Sequence, residues 1–363
     1  MMPLLSLSEI YDQIDRFDPI AYSKTRNYLN GHVSQLSPYV SRGLISVRDI
    51  YDRLISRGIK LYEMEAFVME LCWREHAQRI WQQHDPQIER RNDQSWIAQK
   101  SKIPIEILEA NTGIDAIDKS LKTLKTTGYM HNHMRMYLAA LMCNHYGCYW
   151  KTAAKWLHAQ LCDCDGASNH LSWQWVCGAN APKIYYANQE NINKYTESVQ
   201  LNTPLDTSYE LLPGVKLNAT WKNVSLSFTP EQNISSLSAA KEPVLLYTPY
   251  NLDPFWRNNQ KARRILFWDL DHWQDYPFNE NIYAWINELA RLNIPDIEIY
   301  IGKFQELKKR INLNQTFAKE HPLIQHYGIQ MDDRSWLFDS FEGQVGTFFN
   351  FWKKVHKHLS NEN

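Results

Sequence analysis

Residues 162–178 read CDCDGASNHLSWQWVCG, and the reading of this stretch decides the fold of the first half of the chain. Asp163 and Asp165 flank Cys164; small residues and Asn169 follow; Trp173 and Trp175 then stand one residue apart. Taken alone, the stretch suggests a metal site or an aromatic cluster. The metal option weakens on spacing. The six cysteines, Cys72, Cys143, Cys148, Cys162, Cys164 and Cys177, form none of the CxxC pairs of a zinc ribbon. Cys162 and Cys164 have no second pair, so no metal is expected.

Working outward, residues 1–200 read as helix after helix. LYEMEAFVMELCWREHAQRIW (61–81) repeats Phe67, Leu71 and Trp81 at helical spacing without Gly or Pro. Residues 112–147 predict two helices divided at Gly128, with Gly147 as a stop. WKTAAKWLHAQLCD (150–163) predicts another. Residues 201–240 are rich in Ser, Thr, Asn and Pro and read as a linker with little core. After that the period switches. PVLLYTPY (243–250), RILFWDLD (264–271) and DIEIYIGKF (296–304) predict buried strands, and HPLIQHYGIQ and DRSWLFDSF are further strand candidates. NENIYAWINELARLNI (279–294), FQELKKRINL and FFNFWKKVHKHL predict helices, the last one basic and amphipathic. Alternating strands and helices imply a small parallel α/β domain over 241–363. There is no GxGxxG and no Walker A loop.

The bulk numbers narrow the function. A net charge of −1 argues against a chain coated in basic residues for non-specific nucleic-acid binding, while leaving a local basic groove open. Aromatics are 13%, with 14 Trp and 20 Tyr, enough for stacking or electron transfer as well as core filling. No signal-peptide pattern and no apolar run near about 18 residues is visible, so a reduced, cytoplasmic, monomeric protein without a membrane segment is expected.

Four stretches together resemble the flavin-binding domain of the DNA photolyase/cryptochrome family. They are VSQLSPYVSRGLISVRDIY (33–51), ELCWREH (70–76), TGYMHNHMRM (127–136) with TGIDAID (112–118) ahead of it, and 162–178 itself. The match runs over roughly residues 20–185. It implies an α-helical FAD-binding domain over 1–200, joined to a small C-terminal α/β domain of Rossmann-like type.

The resemblance also implies the site. FAD carries a pyrophosphate, which calls for hydroxyls, backbone N–H groups and a cation. Ser34, Leu36, Ser37 and Arg74, with Tyr22 and Arg26 nearby, fall at the phosphate positions. Taken alone, SQLSP is a helix cap followed by proline. Asn132, Arg135, Asp163, Asp165 and Asn169 fall around the isoalloxazine, with Arg135 and Asp163 as a buried pair and Asn169 facing N5. Trp173, Trp150 and Trp96 resemble the electron-transfer chain. Glu70, Trp73, Met136 and Trp175 fall where the family holds a flipped-out pyrimidine dimer, whose bases stack well on flat aromatics. Thus Trp173 would look toward the flavin and Trp175 outward to substrate. His131 and His133, at i, i+2, point to different helix faces and are read as flanking residues.

The chain also departs from the family. Its helical half comes first. Val33 stands where Thr is usual, His133 where Arg is common, and GANAPKIYYANQENINKY (178–195) replaces the usual loop. The α/β segment looks reduced or permuted, and no antenna chromophore is assigned to it. The expected function is blue-light-dependent repair of pyrimidine dimers in damaged DNA by a photolyase-like lyase. The alternative is a cryptochrome-like photoreceptor without repair.

Overall fold

The computed structural model describes residues 1–85, 87, 100–224, 228–239 and 242–362. The helices up to residue 200 are α1 (Leu7–Arg16), α2 (Pro19–Thr25), α3 (Ser37–Ser41), α4 (Val47–Ser56), α5 (Glu65–Gln83), α6 (Ile105–Glu109), α7 (Asp115–Thr127), α8 (Asn132–Ala140), α9 (Trp150–Gln160), α10 (Gly166–Cys177) and α11 (Gln189–Thr196). Four more follow: α12 (Leu270–Trp273), α13 (Glu280–Asn293), α14 (Phe304–Leu307) and α15 (Phe348–Glu362). Local chemistry sets several boundaries. Ser6 and Ser46 open α1 and α4 as capping boxes with Glu9 and Asp49. Gly128 closes α7 in the left-handed region, φ 67°, as the sequence predicts. Asp165 opens α10 by accepting from the Ser168 amide at 2.8 Å.

The chain packs as two compact units that do not follow its order. One comprises 1–2, 20–33 and 84–227; the other comprises 3–19, 34–83 and 228–363. Residues 34–83 therefore share a unit with the sheet, although the sequence reads 1–200 as one block.

The first unit is built on α7, α8, α9 and α10. Its core includes Ile117, Leu121, Leu138, Trp150, Leu157 and Trp173. A π-helical turn, Leu141–His145, continues α8. The polar stretch after residue 200 carries more core than its composition suggests. Leu205 and Leu212 are buried here, and Val215, Leu217 and Trp221 pack on the same cluster. A two-residue strand β1 (Ile103–Pro104) pairs antiparallel with β2 (Trp221–Lys222).

The second unit holds a parallel sheet of β3 (Val244–Tyr247), β4 (Arg263–Asp269), β5 (Glu298–Gly302), β6 (Thr316–Lys319) and β7 (Gln330–Asp332), in the order β5-β4-β3-β6-β7. The chain leaves β3 on one side and returns on the other at β6. Central strands covered on both faces read as continuous apolar runs, which is why VLLY and ILFW are recognisable. The predicted strands hold at 244–247, 263–269 and 298–302. Two expectations are corrected. HPLIQHYG is mostly a 3-10 helix, Pro322–Tyr327, because His321 caps it and Pro322 sits in its first turn; only Gln330–Asp332 is a strand. DRSWLFDSF forms no strand; its backbone instead bonds to α5 side chains. The strand TFAK at β6 is not anticipated from sequence. Within this unit α15 packs on α5, and α1 on α4.

Candidate functional site

In the first unit the loop 161–165 and helix α10 bring the carboxylates of the opening stretch to α8. Arg135, on α8, donates from one terminal nitrogen to both oxygens of Asp163, at 3.0 and 2.8 Å. Its Nε donates to the Met130 carbonyl at 2.8 Å, which orients the guanidinium. The Asp163 side chain is only 4% exposed against 23% for Arg135. Burial alone would lower the Arg135 pKa; the Asp163 charge and hydrogen bond offset it and hold the pKa above the usual arginine value. A carboxylate this buried is tolerated because it is paired.

Asn169 sits one helical turn before Trp173. Its Nδ2 donates to the Ala154 carbonyl at 2.9 Å, and its Oδ1 accepts from the Trp173 indole at 3.2 Å. These two opposite demands fix the amide orientation. One further N–H and one lone pair are the capacity left for a ligand. Asp165 is buried and spends one oxygen on the α10 cap. The Ser168 hydroxyl, in the same turn, is buried without a hydrogen-bond partner.

The tryptophans of 162–178 separate as their spacing requires. Trp173 is buried at 2% exposure; Trp175, on the other face of α10, is 45% exposed with its ring tilted on Tyr185 at 5.5 Å. Trp150 is fully buried, edge-on to His170 at 6.2 Å. Trp96 lies outside the described residues. Asn132 is exposed at the first position of α8, and Met136 is half-buried one turn on. Tyr22 lies under Arg26 at 6.0 Å. His131 caps α8, its Nδ1 accepting from the His133 amide at 3.2 Å, and burial lowers its pKa to about 4. His133 lies between Tyr137 and Tyr195, at 4.6 and 4.7 Å, with Nδ1 donating to the Asn27 carbonyl at 2.8 Å. Among the described residues no cluster of three or more His, Cys, Asp or Glu could hold a metal.

In the second unit the phosphate candidates begin at a strained turn. Gln35 adopts φ 52°, and Ser34 Oγ accepts from the Leu36 amide at 3.4 Å. Leu36 is buried and Ser37 opens α3. Arg74, on α5, donates to Ser41 Oγ at 3.1 Å, so the short helix α3 and the cation are tied together. Glu70 is half-buried one turn before Arg74. Trp73 is 43% exposed, and Phe348 of α15 stacks on it with centroids 3.4 Å apart and planes 6° from parallel. Neither Ser41 nor Phe348 is singled out by the sequence. Ser41 lies inside a quoted motif and could be found by its α-helical spacing from Ser37; Phe348 is far from Trp73 in the chain and gives no local signal.

A small cavity of about 30 Å³ lies beyond the carboxyl ends of β3, β4 and β6, lined by Tyr250, Trp268, His272, Trp273, Phe278 and Tyr327 among others. That volume admits a water molecule or two. Asp269 there accepts from the Tyr327 hydroxyl at 2.5 Å.

Residues 67–204 match the FAD binding domain of DNA photolyase. A deoxyribodipyrimidine photo-lyase of Alkalihalophilus pseudofirmus is 26% identical over 159 residues, 42% of this chain and 33% of that protein. A cryptochrome DASH of Synechocystis is 28% identical over 171 residues, 43% of this chain and 34% of that protein. The chain thus spans about a third of the length of these relatives. Among solved structures, a Synechocystis cryptochrome aligns with a TM-score of 0.42 at 23% identity, over 52% of this chain and 43% of that one. A class III photolyase from Agrobacterium tumefaciens aligns at 0.41 and 22%, over 60% of this chain and 52% of that one.

Proposed function

The helical region of this chain belongs to the photolyase and cryptochrome family, and on that premise we propose that the protein is a blue-light-dependent flavoprotein that repairs pyrimidine dimers in DNA. The observation that carries this reading is the pairing of Arg135 with Asp163 in the same unit as an Asn169 amide held by Trp173 and Ala154.

The residues present fit FAD. Asn169 keeps an N–H and a lone pair for a ring nitrogen, in either protonation state, where a carboxylate would favour only one. Asp165 caps α10 in the same turn, and the unpaired Ser168 hydroxyl is satisfied by a polar ligand. Arg135 holds the Asp163 carboxylate in one orientation by bonding both of its oxygens, and Asp163 is assigned to the flavin on that footing. Asn132 and Tyr22 with Arg26 extend this set, and Ser34, Leu36, Ser37 and Arg74 are the phosphate candidates. When bound, FAD would supply blue-light absorption and one-electron chemistry for splitting a dimer.

The chain's own part is positioning. Trp173 and Trp150 are easily oxidised rings held without water, and with Trp96 they serve as the path that keeps the flavin reduced. Glu70, Trp73, Met136 and Trp175 meet the extruded dimer; the exposure of both Trp73 and Trp175 supports that role. The α/β unit, with its strand order, is read as Rossmann-like, and the protein as a monomer.

The test is to irradiate the reduced, FAD-loaded protein with a dimer-containing oligonucleotide. Dimer loss that depends on light is expected; intact dimers at full FAD occupancy would overturn the reading. A cryptochrome-like photoreceptor is the second reading, favoured by one observation: Phe348 already covers a face of Trp73.

A further inference from the structure

We propose that Phe348 is an intramolecular competitor for the base-stacking face of Trp73, so that the segment leading into α15 gates nucleic-acid binding. This rests on the reading above that Trp73 stacks on a base. The geometry is that of a stacked base pair step: parallel rings, 3.4 Å between centroids and 6° between planes. That face of the indole has no room for a second ring while Phe348 lies on it. Phe348 is correspondingly buried, at 4% exposure, although it opens a surface helix.

The segment before it is laid along one stripe of α5. The Leu337 amide donates to Glu75 Oε2 at 2.6 Å, and Arg79 donates to the Phe338 carbonyl at 2.9 Å. Gln83 donates to the Gly343 carbonyl at 2.9 Å and accepts from the Val345 amide at 3.1 Å. His76 donates to the Gly346 carbonyl at 3.0 Å. Trp73, His76, Arg79 and Gln83 recur at spacings of three and four, so one helix face holds the whole strap.

The strap has a firm end and a releasable end. Glu75 and Arg79 are buried and anchor residues 337–338. At the other end the Gln83 bonds to 343 and 345 are exposed and exchange for water at small net cost, so the part-buried His76 bond to Gly346 is the backbone contact that opening must break there. Gly343, at φ 91°, and Gly346 bracket the releasable part, and a Cβ at either would meet nothing within 4 Å. Slack at these two glycines lets the first turn of α15 fray, which lifts Phe348 while Phe351, Val355 and Leu359 stay buried along the rest of the helix. A base then replaces a phenyl ring on the same indole, and the observed affinity is reduced by the fraction of molecules in which the face is open.

The test uses the FAD-loaded full chain and a single-stranded oligonucleotide with one pyrimidine dimer, read by fluorescence anisotropy in the dark. Phe348→Ala is expected to tighten binding about fivefold or more. Phe349→Ala, next in sequence and 63% exposed, is expected to leave it unchanged. Trp73→Ala should weaken binding and abolish the gain from Phe348→Ala when the two are combined. Phe348→Leu keeps the apolar bulk without the parallel ring and should show the same direction if the alanine variant folds poorly. Equal or weaker binding by both Phe348 variants, with wild-type binding dependent on Trp73, overturns the gate and leaves the repair reading standing. Absence of binding in every folded, FAD-loaded variant overturns both.

Discussion

The indole N–H of Trp173 donates to the side-chain oxygen of Asn169 at 3.2 Å, one turn apart on α10. This bond joins the residue assigned to flavin N5 to the first residue of the proposed electron path. Trp173→Phe removes both the donor and the easily oxidised ring. Photoreduction of bound FAD is expected to collapse while the fold persists, read as bleaching of the oxidised flavin spectrum under blue light with an external reductant. Asn169→Asp keeps the acceptor for Trp173 but turns a carboxylate oxygen toward the Ala154 carbonyl. It should destabilise the protein by about 1–3 kcal/mol, measured by urea denaturation.

Asp163→Asn leaves Arg135 beside a neutral amide in a largely buried setting. Breaking one partner of a buried pair costs about 3–5 kcal/mol, and the partial exposure of Arg135 places this one near about 3. Replacing both residues by apolar side chains of similar volume should restore much of the stability but not FAD retention. Gel filtration with the flavin-to-protein absorbance ratio reads the second quantity independently of the first.

Acid should unfold the protein earlier than its carboxylates require. Burial holds the pKa of both His131 and His170 at about 4, against 6.5 in the unfolded chain. Between those values the unfolded state binds protons that the native state does not, so stability is full above 6.5 and falls as the pH drops toward 4. The slope is at most about 1.4 kcal/mol per pH unit for each histidine. Urea midpoints at about pH 7, 6 and 5 should decline, and His131→Asn should flatten the decline by one group's share. A flat profile above pH 5 would contradict the burial of these rings.

Arg74→Ala removes the cation tied to Ser41 at 3.1 Å. If Arg74 neutralises a phosphate, FAD affinity should fall about tenfold or more, with weaker salt dependence in the variant. Ser41→Ala keeps the charge and should cost much less. Equal losses in both variants would mean that the Arg74–Ser41 tie matters only to the fold.

The sequence makes legible whatever is local. The α7–α8 break is written in Gly128, whose φ of 67° a side chain rarely adopts. The opposite placement of Trp173 and Trp175 is expected from the resemblance, and α10 provides it by turning residues two apart to different faces, whereas the helix itself and its cap at Asp165 are not anticipated. The pairing of Arg135 with Asp163 was readable only through resemblance, since 28 residues separate them. What escaped depends on distant partners. TFAK becomes β6 because β3 and β7 flank it, not because four residues of mixed character prefer to be extended. DRSWLFDSF looks like a strand by composition, yet its backbone is satisfied by Glu75 and Arg79 from about 260 positions earlier. The Phe348–Trp73 stack is of the same kind.

The discontinuous second unit has a consequence for synthesis. Leu7 donates its amide to the Asn293 side chain, Arg48 reaches Glu362, and α5 waits for α15. Residues 3–19 and 34–83 therefore leave the ribosome long before the segments that cover them. Pairings this far apart slow folding and keep apolar surface open while the chain is being made. The apolar side chains of α5, Phe67 and Leu71 on one side and Ile80 on another, are the stretch most exposed to a holding chaperone, and α15 is the helix that covers part of it.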